Sequence, residues 1–220
     1  MPKSKRAKVV PLSKTHSKTR EDKDALIEKI RAALDNYTDV YTFKLFNSRN
    51  QILQEVREQR AGDSRIFLGN NKLMQIALGR DEESELKENL HKLCPFLTDL
   101  CGLLFTNLDK KSVKEYFDTV GAQVYARTGQ VATEALELKT GPLPQFPHSM
   151  FDHLYKLGLN IKLDKGVIHL LQDTTVCEVG DTLSAEAAQL LRLFGVQSAQ
   201  FRIELTAHWA NGVAKKVSSK

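Results

Sequence analysis

The sequence predicts an α/β fold, a mixed sheet with packed helices, interrupted by an inserted smaller, mostly β second domain. Three observations predict it. Up to Val120, short β-branched and aromatic runs alternate closely with helical apolar patterns. From Tyr125 to Thr182 that alternation gives way to short extended runs and a proline-rich loop. Beyond Ser184 a helix and an alternating strand restore the first style, so the β segment reads as an insertion. The expected boundaries are a disordered basic arm over 1–19, an α/β domain over 20–124 and 183–210, an inserted domain over 125–182 and a flexible tail over 211–220.

Leu26, Ile27, Ile30, Ala33 and Leu34 share one face of a helix that begins at Arg20. Asp39 to Phe46 reads as a strand. Ser48 and Gln51 have capping-box spacing and open a helix that buries Ile52, Leu53 and Val56, with Arg49, Arg57 and Arg60 outward. Arg65 to Leu68 is a second strand, and the helix after Gly69 carries Leu73, Met74, Ile76 and Ala77. Glu82 to Leu93 reads as a helix with Leu86, Leu90 and Leu93 inward and Glu82, Glu83, Glu85 and Glu88 outward, stopped by Pro95. Gly102 to Thr106 is a short buried strand, and Lys110 to Val120 a helix. In the insertion, Ser149 to Leu157 forms a helix ending at Gly158, and Asp164-Lys165-Gly166 turns a hairpin. Ser184 to Phe194 is a helix and Gln200 to Ala207 a half-exposed strand.

The net charge of +5 and pI near 9.0 favour an acidic partner. Much of that charge sits in the arm, where Lys3, Lys5, Arg6, Lys8, Lys14, Lys18 and Arg20 meet no acid. Such a block reads as an RNA-binding arm and nuclear import signal, or more plainly as a solubilising tail. Cys94, Cys101 and Cys177 form no CxxC pair, so neither a zinc cage nor a disulfide framework is expected, and a reducing compartment fits. No apolar run is long enough to span a membrane. The six histidines are scattered, and there is no GxSxG elbow and no Gly-rich dinucleotide fingerprint. No catalytic group, cofactor or metal site is expected.

Binding residues converge better. In Ile66 to Arg80 a short apolar run meets Gly69, Asn70, Asn71 and Lys72, then a helix. A strand, tight turn and helix start aim backbone N–H groups and a partial positive charge outward, where phosphate can sit. The spaced glycine and Lys-Ser/Thr pair of a nucleotide loop are missing, so a nucleic-acid backbone is the better match. Ser48, Arg49, Asn50 and Gln51 stand in the same relation to the first strand. If the strands run parallel, both turns emerge at one carboxyl edge. With Lys44, Arg57, Arg60 and the arm they make a phosphate-reading surface that suits folded RNA. The plainer reading is that Ser48 and Asn71 cap helices, Gly69 makes a turn and the arginines face water.

These residues carry a resemblance. Met1-Pro-Lys-Ser-Lys-Arg6, Phe67-Leu-Gly-Asn-Asn-Lys-Leu-Met74, Ala77-Leu-Gly-Arg80, Gly102-Leu-Leu-Phe-Thr-Asn107 and Tyr125-Ala-Arg-Thr-Gly129 resemble the mRNA turnover protein four family. That family is the nucleolar paralogue of the ribosomal stalk-base acidic protein, within the ribosomal L-ten family. Gly141-Pro-Leu-Pro-Gln-Phe-Pro-His-Ser-Met150 is the most specific stretch, followed by Lys165-Gly-Val167 and Leu191-Arg-Leu-Phe-Gly195. The resemblance implies a stalk-base-like rRNA-binding domain carrying an inserted domain. It implies a non-enzymatic assembly factor on the stalk-base region of large-subunit rRNA in nuclear and nucleolar pre-60S particles, shuttling with them to the cytoplasm. Its implied partners are that rRNA, neighbouring ribosomal proteins and a release factor, with the chain a monomer on the particle and no membrane involved. The family's rRNA contacts would fall on Arg49 through Gln51 and Gly69 through Lys72. One departure is Gly69-Asn70-Asn71 where the family commonly has Gly-Lys-Asn.

A mature stalk-base protein is expected to continue into stalk-recruiting helices and an acidic tail, whereas this chain is expected to end at Lys220 without them. The alternatives are a structural stalk-base protein of the mature large subunit lacking that tail, and an enzyme acting on RNA. Deleting Met1 to Lys18 is expected to lower nuclear accumulation, seen by imaging, while leaving the thermal unfolding midpoint in place.

Overall fold

A computed structural model describes residues 19–217. In chain order the elements are α1 (Arg20–Asn36), β1 (Asp39–Phe46), α2 (Asn50–Gln59), β2 (Ser64–Phe67), α3 (Asn71–Leu78), β3 (Cys101–Thr106), α4 (Lys110–Thr119), β4 (Gly121–Val124), β5 (Leu136–Leu138), β6 (Gly141–Pro142), α5 (Phe151–Lys156), β7 (Ile161–Asp164), β8 (Val167–Leu170), β9 (Thr174–Cys177), α6 (Ala185–Leu193), β10 (Ala199–Ala210) and β11 (Val213–Lys216). They fall into two compact units. One takes the chain to Lys44, Val56–Val113 and the chain from Leu205; the other takes Leu45–Glu55 and Lys114–Glu204.

The first unit is α/β as expected. Its strands follow the order β11-β10-β1-β3-β2. All six residues of β3 are buried, which fits its apolar run. β3 is antiparallel to both neighbours: Lys44 of β1 lies opposite Cys101, and Phe67 of β2 opposite Leu103. The parallel neighbours assumed for this edge are therefore absent. Because β3 intervenes, β1 and β2 still run the same way, and Lys44 and Phe67 point toward the edge where β3 begins. Ile30 and Leu34 of α1, Met74 and Leu78 of α3, Leu90, Leu93, Phe105 and Trp209 make the core. α1 starts on a capping box, with the Thr19 hydroxyl accepting from Asp22 N and the Asp22 carboxylate from Thr19 N.

Two expectations fail here. Glu82 to Leu93 is not an α-helix: it is a run of turns followed by a 3-10 segment, Leu90–Phe96, that contains Pro95. Side chains take the backbone N–H groups that a helix would need. The Glu85 carboxylate accepts from Asn89 N at 3.0 Å and His91 N at 3.3 Å and pairs with the His91 ring at 2.6 Å. Those hydrogen bonds, led by the His91 ring, hold it below the usual carboxylate range. Ser84 Oγ accepts from Arg80 N and Asp81 N. Leu86, expected inward, is exposed. The second failure is the flexible tail. Residues Val213–Lys216 form β11, returning along β10 after a turn with Asn211 at φ 46 and Gly212 at φ 77. Asn-Gly is the strongest short hairpin signal, and the polar composition around it masked the turn.

The second unit mixes short strands with α5, α6, the first part of α2 and the last part of α4. β4 pairs with Ala199–Arg202, β5 with β9, and β6, β8 and β7 form a three-stranded sheet. Lys165 and Gly166 turn the β7–β8 hairpin with φ 48 and 82, as expected. Leu138, Leu154, Ile161, Ile168, Leu170 and Leu190 pack its core. Ser184 caps α6 by accepting from Ala187 N at 3.1 Å. All three cysteines are buried thiols.

Gly102 is where β3 admits no side chain. A Cβ there would lie 2.5 Å from Phe43 Cζ and 2.7 Å from Phe67 O. Gly102→Ala is expected to destabilise the protein by about 1–3 kcal/mol in urea titration, the usual cost of overpacking.

Candidate nucleic-acid interface

The turn after β2 is built as the sequence suggests. Asn70 is the cap of α3: its side-chain oxygen accepts from Lys72 N at 3.0 Å, and its carbonyl accepts from Leu73 N and Met74 N. A lysine in this position could not make the side-chain bond, so Asn70 gives up a cation and gains a cap. A Cβ at Gly69 would sit 3.0 Å from Leu26 Cδ2 of α1, a tight contact that a small shift of that leucine would relieve.

Asn71 fastens α3 to the start of β3. Its amide Nδ2 donates to Asp99 O at 2.9 Å, and its Oδ1 accepts from Cys101 Sγ at 3.2 Å. That carboxamide is engaged by protein and does not stand ready for a base edge. Burial pushes the Cys101 thiol up to about 11, so it stays a protonated donor at neutral pH. Asp99 takes φ 55, a conformation Asp tolerates, and its carboxylate reaches Lys44 Nζ at 3.2 Å. Lys44, Asn70, Asn71 and Lys72 thus lie at one sheet edge, with Asp99 opposing the charge of Lys44 and Lys72 exposed. Sequence reasoning missed Asp99 and Cys101. Only their position at the start of a buried strand signalled them.

Arg57 and Arg60 do not join this edge. They line a cavity with Tyr37, Ser64 and Arg65 at the opposite end of β2. Arg65 also lies over the Phe67 ring, 5.4 Å from its centroid. Arg20, in the first turn of α1, is 3.9 Å from Asp24. Lys3, Lys5, Arg6, Lys8, Lys14 and Lys18 lie outside the described residues.

The turn after β1 belongs to the second unit. α2 begins at Asn50 with Leu53 N bonded to Arg49 O, so the helix starts later than a Ser48 cap would place it. Ser48 O accepts from Arg127 Nη2 at 3.2 Å, and Arg49 Nη2 donates to Tyr125 O. Asn50 and Gln51 are exposed, with Gln51 Nε2 3.4 Å from Glu55 Oε1. Among the described residues, no three His, Cys, Asp or Glu side chains gather to hold a metal ion.

Two family descriptions match the chain: ribosomal protein L10 over residues 18–120, and the insertion domain of the 60S ribosomal protein of that L10 family over residues 126–196. An L10-type domain carrying an insertion domain is the fold that the resemblance implied. The chain is 38% identical to the ribosome assembly factor mrt4 of Dictyostelium discoideum, covering 95% of this chain and 93% of that protein. It is 34% identical to the ribosome assembly factor MRT4 of Saccharomyces cerevisiae, covering 96% of this chain and 94% of that protein. The large ribosomal subunit protein uL10 of Methanopyrus kandleri is 26% identical over 94% of this chain and 58% of that protein.

Asp99 offsets the charge of Lys44 at this edge. Asp99→Asn keeps the left-handed backbone and releases Lys44. It is expected to tighten RNA binding two- to five-fold in fluorescence anisotropy, the scale of an exposed ion pair worth about 0.5–1 kcal/mol.

Proposed function

Because the chain belongs to the ribosome assembly factor mrt4 family, we propose that it is a non-enzymatic factor that binds the stalk-base region of large-subunit rRNA in nuclear and nucleolar precursor particles. It holds that site until the mature stalk-base protein takes it. Its general role lies in ribosome biogenesis. The observation that carries this reading is similarity over nearly the whole chain to proteins named for ribosome assembly, at 34–38% identity, against 26% to a uL10 protein.

The geometry supports RNA as the direct partner. The α3 turn is held by the fold's own contacts: Asn70 caps it and Asn71 ties it to the start of β3. Lys72 projects from the first turn of α3, where the helix dipole adds to its pull on phosphate. The basic arm supplies further, sequence-independent attraction. Exchange is the property that distinguishes an assembly factor from a permanent ribosomal protein. A release factor would act by unseating these polar and ionic contacts.

Two measurements test the reading. In gradient fractionation the protein is expected with large-subunit precursors and absent from translating polysomes; steady presence in polysomes would favour the structural stalk-base alternative. With the purified chain, Lys72→Glu is expected to weaken binding to the stalk-base rRNA fragment ten-fold or more, and wild-type affinity to fall steeply between 50 and 200 mM salt, as expected for phosphate contacts. Equal affinities for the two proteins would remove the α3 turn from the interface.

A further inference from the structure

The second unit holds a cleft of about 950 Å³ whose walls are cationic. Arg49, Arg127, Lys156 and Arg192 line it, with Glu186 the one carboxylate among its lining residues. These side chains come from four separate stretches of sequence: the turn after β1, the segment after β4, the end of α5 and the last turn of α6. No local motif brings them together. The fold does.

Two of the guanidiniums are fixed in place. Arg49 donates to Tyr125 O, and Arg127 donates to Ser48 O at 3.2 Å, so each turn holds the other's arginine. A guanidinium has five N–H donors in a rigid fork, and a single backbone bond leaves most of them available. The charges are poorly compensated. Burial, then the neighbouring Arg127 and Arg192, push the Arg49 guanidinium below its ordinary range, the sign of like charges held close. Glu186 offsets one of the four positive charges and leaves a net excess. It sits in the first turn of α6, where a backbone N–H and the Ser184 hydroxyl stabilise its carboxylate.

We propose that this cleft is a second RNA-binding site, one that seats consecutive phosphates of a ribonucleotide backbone between Arg49, Arg127, Lys156 and Arg192. It rests on the reading that the chain binds rRNA, and adds to the α3 turn a site of its own in the second unit. The cleft is too large for a lone anion and matches the span of a few nucleotides. Gln51, Thr128 and Gln189 add neutral hydrogen-bonding groups suited to ribose and base edges. The carbon-rich lining is Tyr125, Ala126, Leu157, Ala185 and Ala188. Tyr125 is its single aromatic, and four cationic side chains spread around the cleft match a run of phosphates better than a single peptide anchor seated in a socket.

The test uses the full chain and measures binding by anisotropy to the labelled stalk-base rRNA fragment and, separately, to a labelled poly-glutamate peptide. The double variant Arg127→Ala/Arg192→Ala is compared with wild type and with Lys72→Glu across a salt series. The expected result is a five- to fifty-fold weaker rRNA affinity for the double variant. Its log–log salt slope should fall by about 1.4–1.8, the loss of two phosphate contacts. Lys156→Ala, at an exposed residue, provides an independent variant if the double one fails to fold by circular dichroism, and should lower the slope by about 0.7–0.9. If Lys72→Glu weakens binding while the cleft variants leave affinity and slope at wild-type values, the cleft proposal is overturned and the α3 assignment stands. The opposite pattern keeps the cleft and removes the α3 turn. Failure of wild type to bind the rRNA overturns both, and peptide binding that the cleft variants abolish would then reassign the cleft to an acidic protein segment.

Discussion

The first unit depends on the burial of β3. A strand whose six residues are all buried must be covered on both faces and paired along both edges. Gly102 sharpens the constraint by letting Phe43 and the Phe67 carbonyl close over the chain. With β1 and β2 held antiparallel on either side, their carboxyl ends have one direction left to go. The Asn71–Asp99–Cys101 contacts then transmit the position of β3 to the start of α3. The placement of the Gly69–Lys72 turn is thus a consequence of packing several residues away.

The two units treat positive charge differently. At the α3 edge Lys44 is opposed by Asp99, and the helix cap is the neutral side chain of Asn70. In the second unit Arg49, Arg127, Lys156 and Arg192 face a single carboxylate already stabilised by the end of its own helix. The first arrangement favours geometry over charge, and the second favours charge. The contrast separates a surface defined by fixed hydrogen bonds from one defined by net charge, and salt screens the second far more than the first.

Much of the fold was legible in the sequence because its signals are local. The apolar spacing of Ile30, Ala33 and Leu34, the turn at Lys165-Gly166 and the cap at Ser184 each need only a few neighbouring residues. The Glu82–Leu93 segment misled because its leucines keep helical spacing, while Ser84 and Glu85 give the backbone other partners. The site was legible to the same extent. The Gly69–Lys72 turn could be read directly, but its cap is Asn70 and not the Asn71 that the sequence suggested. The opposition of Lys44 by Asp99 required knowing which residue starts β3, and the grouping of Arg127, Lys156 and Arg192 required the tertiary fold. Arg57 and Arg60 were placed with the turn on charge alone, and strand direction sends them to the other end of β2.

The sequestered sulfurs have a practical corollary. Cys94, Cys101 and Cys177 are all shielded, and Cys94 and Cys101 are also disfavoured as thiolates. Native protein should therefore react slowly with maleimides and tolerate air. A cysteine introduced on the surface would be the fast-reacting position, so a single dye or spin label could be placed there without first removing the natural thiols.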